Sequence, residues 1–366
     1  MKIAYLIDWD ILADSGVLKK IKAQIEIWEK NGNRVALFVS SYQTKKAYVA
    51  GLKEVFVFDR PYIKYIPHSL NTFLGKMIVF KRIKKAMKSF GPDIIYFRQS
   101  NMWYPGIEDV LKLAPTVMEV NTNDEEEIKI YYGKFRQRVY RLGKKLILRE
   151  TKGLVAVTNE IGHQYSERIS KITVIGNAIN GFNTLPEVER STNEVNILFV
   201  ATAGQIWQGM DKVLALAEML PDCSFHVVGE TASIANGKNY SNVNFYGHLD
   251  QADLFKLYDQ MHIGIGTLAL HRKKMDEACP LKVREYLSFG LPVIVAYYDT
   301  DFAGKPFVLQ IENTESNVEN CITQIKDFIE KWKDKRVHQS DLVPFGKEQK
   351  EIKRLSFFKE IVDCGV

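Results

Sequence analysis

Short apolar runs and longer amphipathic segments alternate along the whole chain. Apolar runs of strand length, each followed by apolar residues at helical spacing, are typical of parallel α/β sheets. In the first half, the pattern predicts strands at residues 2–7, 34–39, 54–58, 93–97, 116–120, 153–157 and 172–175. In the second half, it predicts strands at residues 195–201, 224–229, 243–246, 262–266 and 292–296. The predicted fold class is therefore α/β with parallel sheets.

One polar stretch, residues 183–193, interrupts the alternation and predicts a linker. We therefore expect one Rossmann-like domain over 1–187 and a second over 188–345, followed by a C-terminal segment, 346–366. A chain of 366 residues is long enough for each domain to bury its own core. Helices are predicted in the second half at 209–220, 250–260, 281–289, 316–333 and 346–363.

The composition favours a globular cytoplasmic protein. The 46% hydrophobic and 26% charged residues are ordinary proportions, and no apolar run reaches the roughly 18 residues that would span a bilayer. The apolar start of the chain is too short for a signal peptide and is interpreted as a buried first strand. The four cysteines are far apart, which argues against a disulfide framework or a structural zinc site and is consistent with a reducing compartment.

The net charge of +6 is unevenly distributed. Two predicted helices, 76–90 and 134–149, contain several lysines and arginines and no acid, with their apolar residues predicted on the opposite face. The apolar positions are Val79, Phe80, Ile83, Met87 and Phe90 in one helix and Phe135, Val139, Leu142 and Leu146 in the other. These helices are either solvated or dock on an anionic membrane surface. Nucleic acid is not expected as a partner, because no recognised binding motif accompanies the charge.

The most informative segment is residues 271–294, His-Arg-Lys-Lys-Met-Asp-Glu-Ala-Cys-Pro-Leu-Lys-Val-Arg-Glu-Tyr-Leu-Ser-Phe-Gly-Leu-Pro-Val-Ile. It follows a predicted buried strand, begins a helix near Pro280 and ends that helix at Gly290. The free N–H groups of a helix N-terminus attract anions. Glu277 is expected just before this helix and Glu285 about one turn inside it, where their carboxylates can accept hydrogen bonds from a sugar and from a ribose.

This segment resembles the Glu, seven residues, Glu motif of the retaining GT-B glycosyltransferases of family 4, and Glu-Tyr-Leu-Ser-Phe-Gly-Leu-Pro-Val-Ile fits the continuation of that motif. Other stretches resemble the family in the same order: Ser15-Gly16-Val17 after the first strand, the turn containing Asn177, and the strand and loop ending in Gly247-His248. The resemblance implies a GT-B fold, in which two Rossmann-like domains face a central cleft and the last helix returns to the N-terminal domain.

The resemblance also implies a function. Family members transfer a sugar from a nucleoside diphosphate to an acceptor hydroxyl with retained configuration, and commonly without a divalent metal. Here it implies a UDP- or GDP-sugar donor and a glycan or lipid-linked acceptor. The stretch from Trp207 to Asp211 and the stretch from Ser15 to Lys20 resemble a polysaccharide-assembly branch. We expect a cytoplasmic enzyme, peripheral on the inner face of the membrane.

The implied site has one catalytic residue, Glu277, which orients the donor sugar. The residues expected to bind the donor are Glu285, Gly16, Arg272, Lys273, Lys282, Leu281, Gln208, Gly247 and His248. Those expected on the acceptor or sugar side are Asn121, Asp124 and Asn177. Because Lys282 and Arg284 are close in sequence and cannot both face the cleft, we expect at least one of them at the surface. The Asp8-Trp9-Asp10 motif ends the first strand and is expected to make loop hydrogen bonds rather than to bind a metal.

The sequence departs from the family at the donor phosphates. Where the family has a Gly-Arg pair and then Lys-Gly, this chain has Thr202-Ala203 and Gln208-Gly209, so neither cation is present. We expect Arg272, Lys273 or Lys282 to supply the charge instead. Two alternatives remain: a sugar-nucleotide 2-epimerase of the same fold, and a member that binds the donor without turnover.

Overall fold

The computed structural model describes residues 1–11, 15–44, 46–99, 102–181 and 194–363. Internal contacts divide the chain into two compact units, one formed by Met1–Gly176 with Glu348–Val366 and the other by Asn177–Lys347. The predicted domain boundary at 187/188 and the predicted linker lie outside the described residues.

The first unit is built on a seven-stranded sheet in the order β3-β2-β1-β4-β5-β6-β7, with every neighbouring pair parallel. The strands are β1 (Lys2–Asp8), β2 (Arg34–Ser41), β3 (Val55–Asp59), β4 (Ile94–Arg98), β5 (Thr116–Val120), β6 (Thr151–Ala156) and β7 (Ile172–Val174). Its helices are α1 (Gly16–Lys30), α2 (His68–Phe90), α3 (Ile107–Leu111), α4 (Asp124–Glu150) and α5 (Asn159–Tyr165). The seven strands predicted in this half are confirmed.

The second unit is built on a six-stranded parallel sheet in the order β10-β9-β8-β11-β12-β13. Its strands are β8 (Val195–Val200), β9 (Cys223–Val228), β10 (Val243–Gly247), β11 (Ile263–Ile265), β12 (Val293–Val295) and β13 (Val308–Gln310). Its helices are α6 (Met210–Met219), α7 (Gln251–Gln260), α8 (Leu281–Ser288), α9 (Asn317–Asn320) and α10 (Ile322–Trp332). The five predicted strands are confirmed. The sequence pattern missed β13, which is only three residues long, and the predicted helix 316–333 is two helices.

The last helix, α11 (Lys347–Asp363), packs into the core of the first unit. The ring of Phe358 lies 5.4 Å from that of Trp28 and 5.1 Å from that of Tyr96. Glu351 accepts a 2.8 Å hydrogen bond from Trp28 Nε1, and Arg354 donates one of 2.7 Å to the Tyr96 hydroxyl. The C-terminal segment therefore completes a core that begins with the first residues of the chain.

The two basic helices of the first unit pack differently. In α2, the five apolar residues of the predicted stripe are all buried, as expected. In α4, Phe135, Val139 and Leu142 are exposed. The buried positions of this region are instead Gln137, Tyr140, Gly143, Lys144, Ile147 and Leu148. The prediction that the apolar residues of 134–149 lie opposite the cations is therefore wrong. On the buried face, Lys144 pairs with Asp124 at the start of the same helix.

No helix in the described ranges combines the length and apolarity that crossing a bilayer requires.

Candidate functional site

The loop that carries Glu277 is held at the carboxyl end of the sheet in the second unit. Glu277 forms a parallel bridge with Tyr298, which follows β12. The Tyr298 N–H donates to the Asp276 carbonyl at 2.8 Å, and the Ala278 N–H donates to the Tyr298 carbonyl at 3.2 Å. Backbone pairing on both sides of Glu277 therefore fixes the backbone from which its partly exposed side chain projects.

Helix α8 begins directly after this loop, as predicted. Pro280 precedes it in an extended conformation and Leu281 is its first residue. Proline has no side-chain acceptor, so the first N–H groups of α8 keep their capacity to bind an anion. Glu285 lies one turn further on, partly exposed, and its charge adds to the effect of burial in raising the pKa of Tyr258.

Lys282 is the cation that the fold places at the start of α8. Its Nζ donates to the Val200 carbonyl at 3.1 Å, lies 3.5 Å from Gln208 Oε1 and stands 4.2 Å above the ring of Phe199. Burial lowers the pKa of Lys282 to about 7. Gln208 and Lys282, two residues predicted to bind the donor, are thus brought together at the carboxyl end of β8.

Arg272 and Lys273 are engaged elsewhere in the second unit. All five N–H donors of Arg272 are used: they bind Asp211, Glu315 and the Ile206 carbonyl. Lys273 is buried, with its Nζ 4.3 Å from the ring of Trp207. Contact between Arg272 and a diphosphate would require the guanidinium to leave these partners, so Lys282 is the better placed of the three cations.

Arg284 corrects the expectation that either it or Lys282 lies at the surface. Its guanidinium is buried, forms an ion pair with Asp299, binds Asp301 at 3.0 Å and donates to the Asn177 carbonyl at 3.1 Å. Removal of a guanidinium from water is tolerated here because two carboxylates and a carbonyl satisfy it. The carboxylates lie 15 and 17 residues away in sequence, beyond the reach of a helical spacing rule.

Three further predicted donor residues lie at loops or helix starts. Gly247 ends β10 with φ of 60°, and its N–H donates to the Glu230 carbonyl at 3.2 Å. His248 follows and is exposed. In the first unit, Gly16 is the first residue of α1, where Ser15 Oγ caps the helix by accepting from the Leu18 N–H at 3.2 Å. Gly16 is therefore part of a helix N-terminus and not of a loop.

The three residues predicted on the acceptor side differ in their contacts. Asn121 Oδ1 accepts a 3.2 Å hydrogen bond from Lys20 Nζ, and Lys20 also pairs with the buried Glu119. Although burial alone would raise it, the pKa of Glu119 is lowered to about 2 by Lys20 and Arg98. This charged cluster at the ends of β4 and β5 was not predicted, because its members come from three separate elements.

Asp124 and Asn177, the other two residues predicted for the sugar side, are buried. Asp124 accepts from Lys144, from Gln99 Nε2 at 2.9 Å and from the Tyr165 hydroxyl at 3.1 Å. The Asn177 N–H donates to Cys279 Sγ at 2.8 Å. The Asn177 side chain also donates, through Nδ2, to the Cys279 carbonyl. These bonds place Asp124 at the start of α4 and tie Asn177 to the loop before α8.

The Asp8-Trp9-Asp10 motif makes internal hydrogen bonds, as expected. Asp8 is buried, forms an ion pair with Lys76 and accepts from Ser40 Oγ at 2.7 Å. Asp10 accepts from the Tyr42 N–H. Lys76, which belongs to the basic helix 76–90, is consequently buried and unavailable to an outside anion.

Comparisons with known proteins agree with this fold. Residues 21–180 match the profile of Glycosyltransferase Family 4, which is less than half of the chain. No curated protein matches the sequence. Similar solved structures include a glycosyltransferase from Rickettsia africae ESF-5, with a TM-score of 0.65 and 17% identity over 99% of both chains. WaaG, a glycosyltransferase of lipopolysaccharide biosynthesis, has a TM-score of 0.61 and 13% identity over 99% of both chains.

An epimerase is also similar in structure. The UDP-GlcNAc 2-epimerase from Neisseria meningitidis, bound to UDP-GlcNAc, has a TM-score of 0.56 and 13% identity over 98% of this chain and all of that one. At such identities the likeness shows the fold alone. The chain has the GT-B fold, with two Rossmann-like domains, and the family match together with the fold supports a glycosyltransferase of the GT-B type.

Proposed function

We propose that the chain transfers a sugar from a UDP- or GDP-sugar to the hydroxyl of a glycan or lipid-linked acceptor, with retained configuration, in the assembly of a cell-surface polysaccharide. The observation that carries the proposal is the placement of Glu277 in a backbone-paired loop immediately before α8 and of Glu285 inside that helix. In this proposal, Glu277 orients the donor sugar and Glu285 accepts hydrogen bonds from the ribose.

The diphosphate of the donor would lie at the start of α8. Free backbone N–H groups and the helix dipole stabilise negative charge there, and Lys282 with Gln208 stands at the carboxyl end of β8 beside them. These donors would stabilise the charge that develops on the leaving diphosphate. We further propose that no divalent metal is needed, which is consistent with the internal bonding of Asp8 and Asp10.

Separate substitutions of the two glutamates test the proposal. Glu277→Gln is expected to lower turnover by about a hundredfold or more with little change in donor affinity, because a sugar that is not oriented reacts slowly. Glu285→Gln is expected mainly to weaken donor binding. A matched control is Glu312→Gln, at an exposed position of the same unit outside the proposed site.

The products distinguish this function from its alternatives. Free nucleoside diphosphate together with a glycosylated acceptor supports sugar transfer, an epimerised donor indicates the 2-epimerase activity, and binding without either product indicates a non-catalytic protein. Wild-type turnover in both Glu277→Gln and Glu285→Gln would refute the site. The same assay with a chelator is expected to show unchanged turnover if no metal takes part.

We also propose that this enzyme works at the cytoplasmic face of an anionic membrane, where a lipid-linked acceptor would be presented. The excess of lysine and arginine in the second half of α4 supports this location. An anionic membrane surface attracts such residues by about 1 kcal/mol each.

A further inference from the structure

Helix α4 bends at Gly133, and its residues change there from mainly acidic to mainly basic. This glycine has φ of 81° and ψ of 173°, which bends the helix and separates an acidic start from a basic remainder. Three of the four acids before the bend pair with cations: Asp124 with Lys144, Glu125 with Arg141, and Glu126 with Lys129. The fourth, Glu127, accepts from the Thr122 hydroxyl at 3.1 Å. Of the outward cations that follow the bend in the described part of the chain, these acids pair only with Arg141.

An apolar ridge lies on the outside of this helix. It consists of Tyr131, Tyr132, Phe135, Val139 and Leu142, and we call it the α4 ridge. Phe135 is 78% exposed, Leu142 66% and Val139 48%. Single exposed apolar residues are common, but here Phe135, Val139 and Leu142 follow one another at helical spacing after two exposed tyrosines. A contiguous apolar patch of this kind marks a surface that binds something apolar.

Cations flank the α4 ridge directly. Arg138, Arg141 and Lys145, at spacings of three and four residues, share one side of the helix. Together with Arg168, Leu142 and Glu125 they line a surface cavity of ≈ 500 Å³. Within the described ranges, Arg138, Lys145 and Arg168 form no ion pair, so the single carboxylate of Glu125 leaves the cavity strongly positive. The lining combines arginines, which can bind phosphate through two N–H groups, with one apolar side chain, Leu142.

We infer that α4 docks this chain on an anionic phospholipid bilayer, with the α4 ridge inserted at the boundary between headgroups and acyl chains and a headgroup phosphate in the cavity. A helix with an apolar strip beside a Lys/Arg-rich strip is suited to that boundary. The inference deepens the proposed membrane location and rests on it, but it is independent of which sugar is transferred.

The positive charge around the α4 ridge favours an anionic bilayer, rather than a second copy of the chain, as its binding partner. A second copy of the chain would bring the same cations face to face across a symmetric contact, which is repulsive. An anionic bilayer offers phosphates at the level of the cations and an apolar layer just below them. Helix α2 cannot act in the same way, because its apolar residues are buried in the core and Lys76 is bound to Asp8.

Vesicle flotation of the full chain tests the inference. The probes are vesicles of phosphatidylcholine alone and of phosphatidylcholine with phosphatidylglycerol, at low and at high salt. The ridge variant is Phe135→Ser with Leu142→Ser, and the cavity variant is Arg138→Gln with Lys145→Gln. The control, Lys85→Gln with Lys88→Gln, removes the same charge from exposed positions of α2.

Wild type is expected to float with the anionic vesicles only. The cavity variant is expected to bind about tenfold or more weakly, since each cation near the surface contributes about fivefold, and the α2 control is expected to stay within about twofold. The ridge variant is expected to lose the part of the binding that persists at high salt, because insertion of apolar side chains is not screened. Circular dichroism checks that each variant is folded.

Three outcomes would overturn the inference: no wild-type flotation with anionic vesicles at low salt, equal losses in the cavity variant and the α2 control, or a ridge variant that binds like wild type. A wild-type dimer that the ridge substitutions dissociate would assign the surface to a second copy instead. Donor binding by the same proteins without vesicles, followed by thermal shift with UDP- and GDP-sugars, tests the sugar-transfer proposal separately.

Discussion

At the scale of the residue, the most consequential side chain is Lys282, whose buried amine has its pKa lowered to about 7. A doubly esterified diphosphate keeps its charge near neutral pH, so binding beside this amine should favour the protonated form and take up a proton. Above pH 7 the amine of the free protein is neutral, and protonation then costs free energy. Donor affinity is therefore expected to fall as pH rises, by at most about tenfold per pH unit.

Calorimetry with a nucleotide sugar across this pH range measures the effect. Lys282→Met is expected to bind the donor more weakly and with a flat pH dependence. Lys238→Met, an exposed lysine of the same unit paired with Glu218, is expected to keep both the affinity and the pH dependence of wild type. If Lys282→Met retains the wild-type slope, another group takes up the proton.

At the scale of the element, α4 is fixed on the first unit by a close contact at Gly143. A Cβ on Gly143 would lie 2.3 Å from Cβ and Cγ of Trp103, and Trp103 is itself held by a 3.0 Å hydrogen bond to Glu108. Gly143→Ala is therefore expected to destabilise the protein by about 1–3 kcal/mol, although alanine normally stabilises a helix interior by about 1 kcal/mol. Urea unfolding measures the difference.

The control for this contact is Gly162→Ala in α5, where the nearest atom to a new Cβ is Ile172 Cγ2 at 3.4 Å. That change is expected to be neutral or to stabilise by up to about 1 kcal/mol. If both Gly143→Ala and Gly162→Ala stabilise the protein, the Trp103 side chain can move aside and its contact with Gly143 does not position α4.

The contrast between α2 and α4 shows how far the sequence predicts this fold. Apolar spacing predicted twelve strands and the apolar face of α2, because buried strands and a core-facing stripe leave a local signature. It could not show that α4 turns its apolar residues outward, since the buried face of α4 includes an ion pair between Lys144 and Asp124, which lie 20 residues apart across a bend.

In the site, Glu277, α8 and Glu285 form one contiguous motif and were predictable. The partners of Arg272, 61 and 43 residues away, were not.

At the scale of the whole molecule, the first unit depends on residues that follow the second unit in sequence. Glu351 in α11 is buried and accepts hydrogen bonds from Trp28 and Arg354, and Arg354 is buried beside it. Glu351→Ala would leave a buried guanidinium without its carboxylate, which costs about 3–5 kcal/mol. We expect hydrogen exchange to show lost protection in β1 and β4 of the first unit, where Tyr5 and Tyr96 pack around Trp28.

Glu360→Ala provides the matched comparison, because Glu360 lies on the same helix, is 56% exposed and pairs with Lys171 at 3.0 Å. An exposed pair of this kind contributes at most about 1 kcal/mol, so the protection of β1 and β4 should hardly change. The difference between the two variants isolates the buried network from a general weakening of α11. Equal losses would mean that the helix as a whole, and not the carboxylate at its centre, closes the core of the first unit.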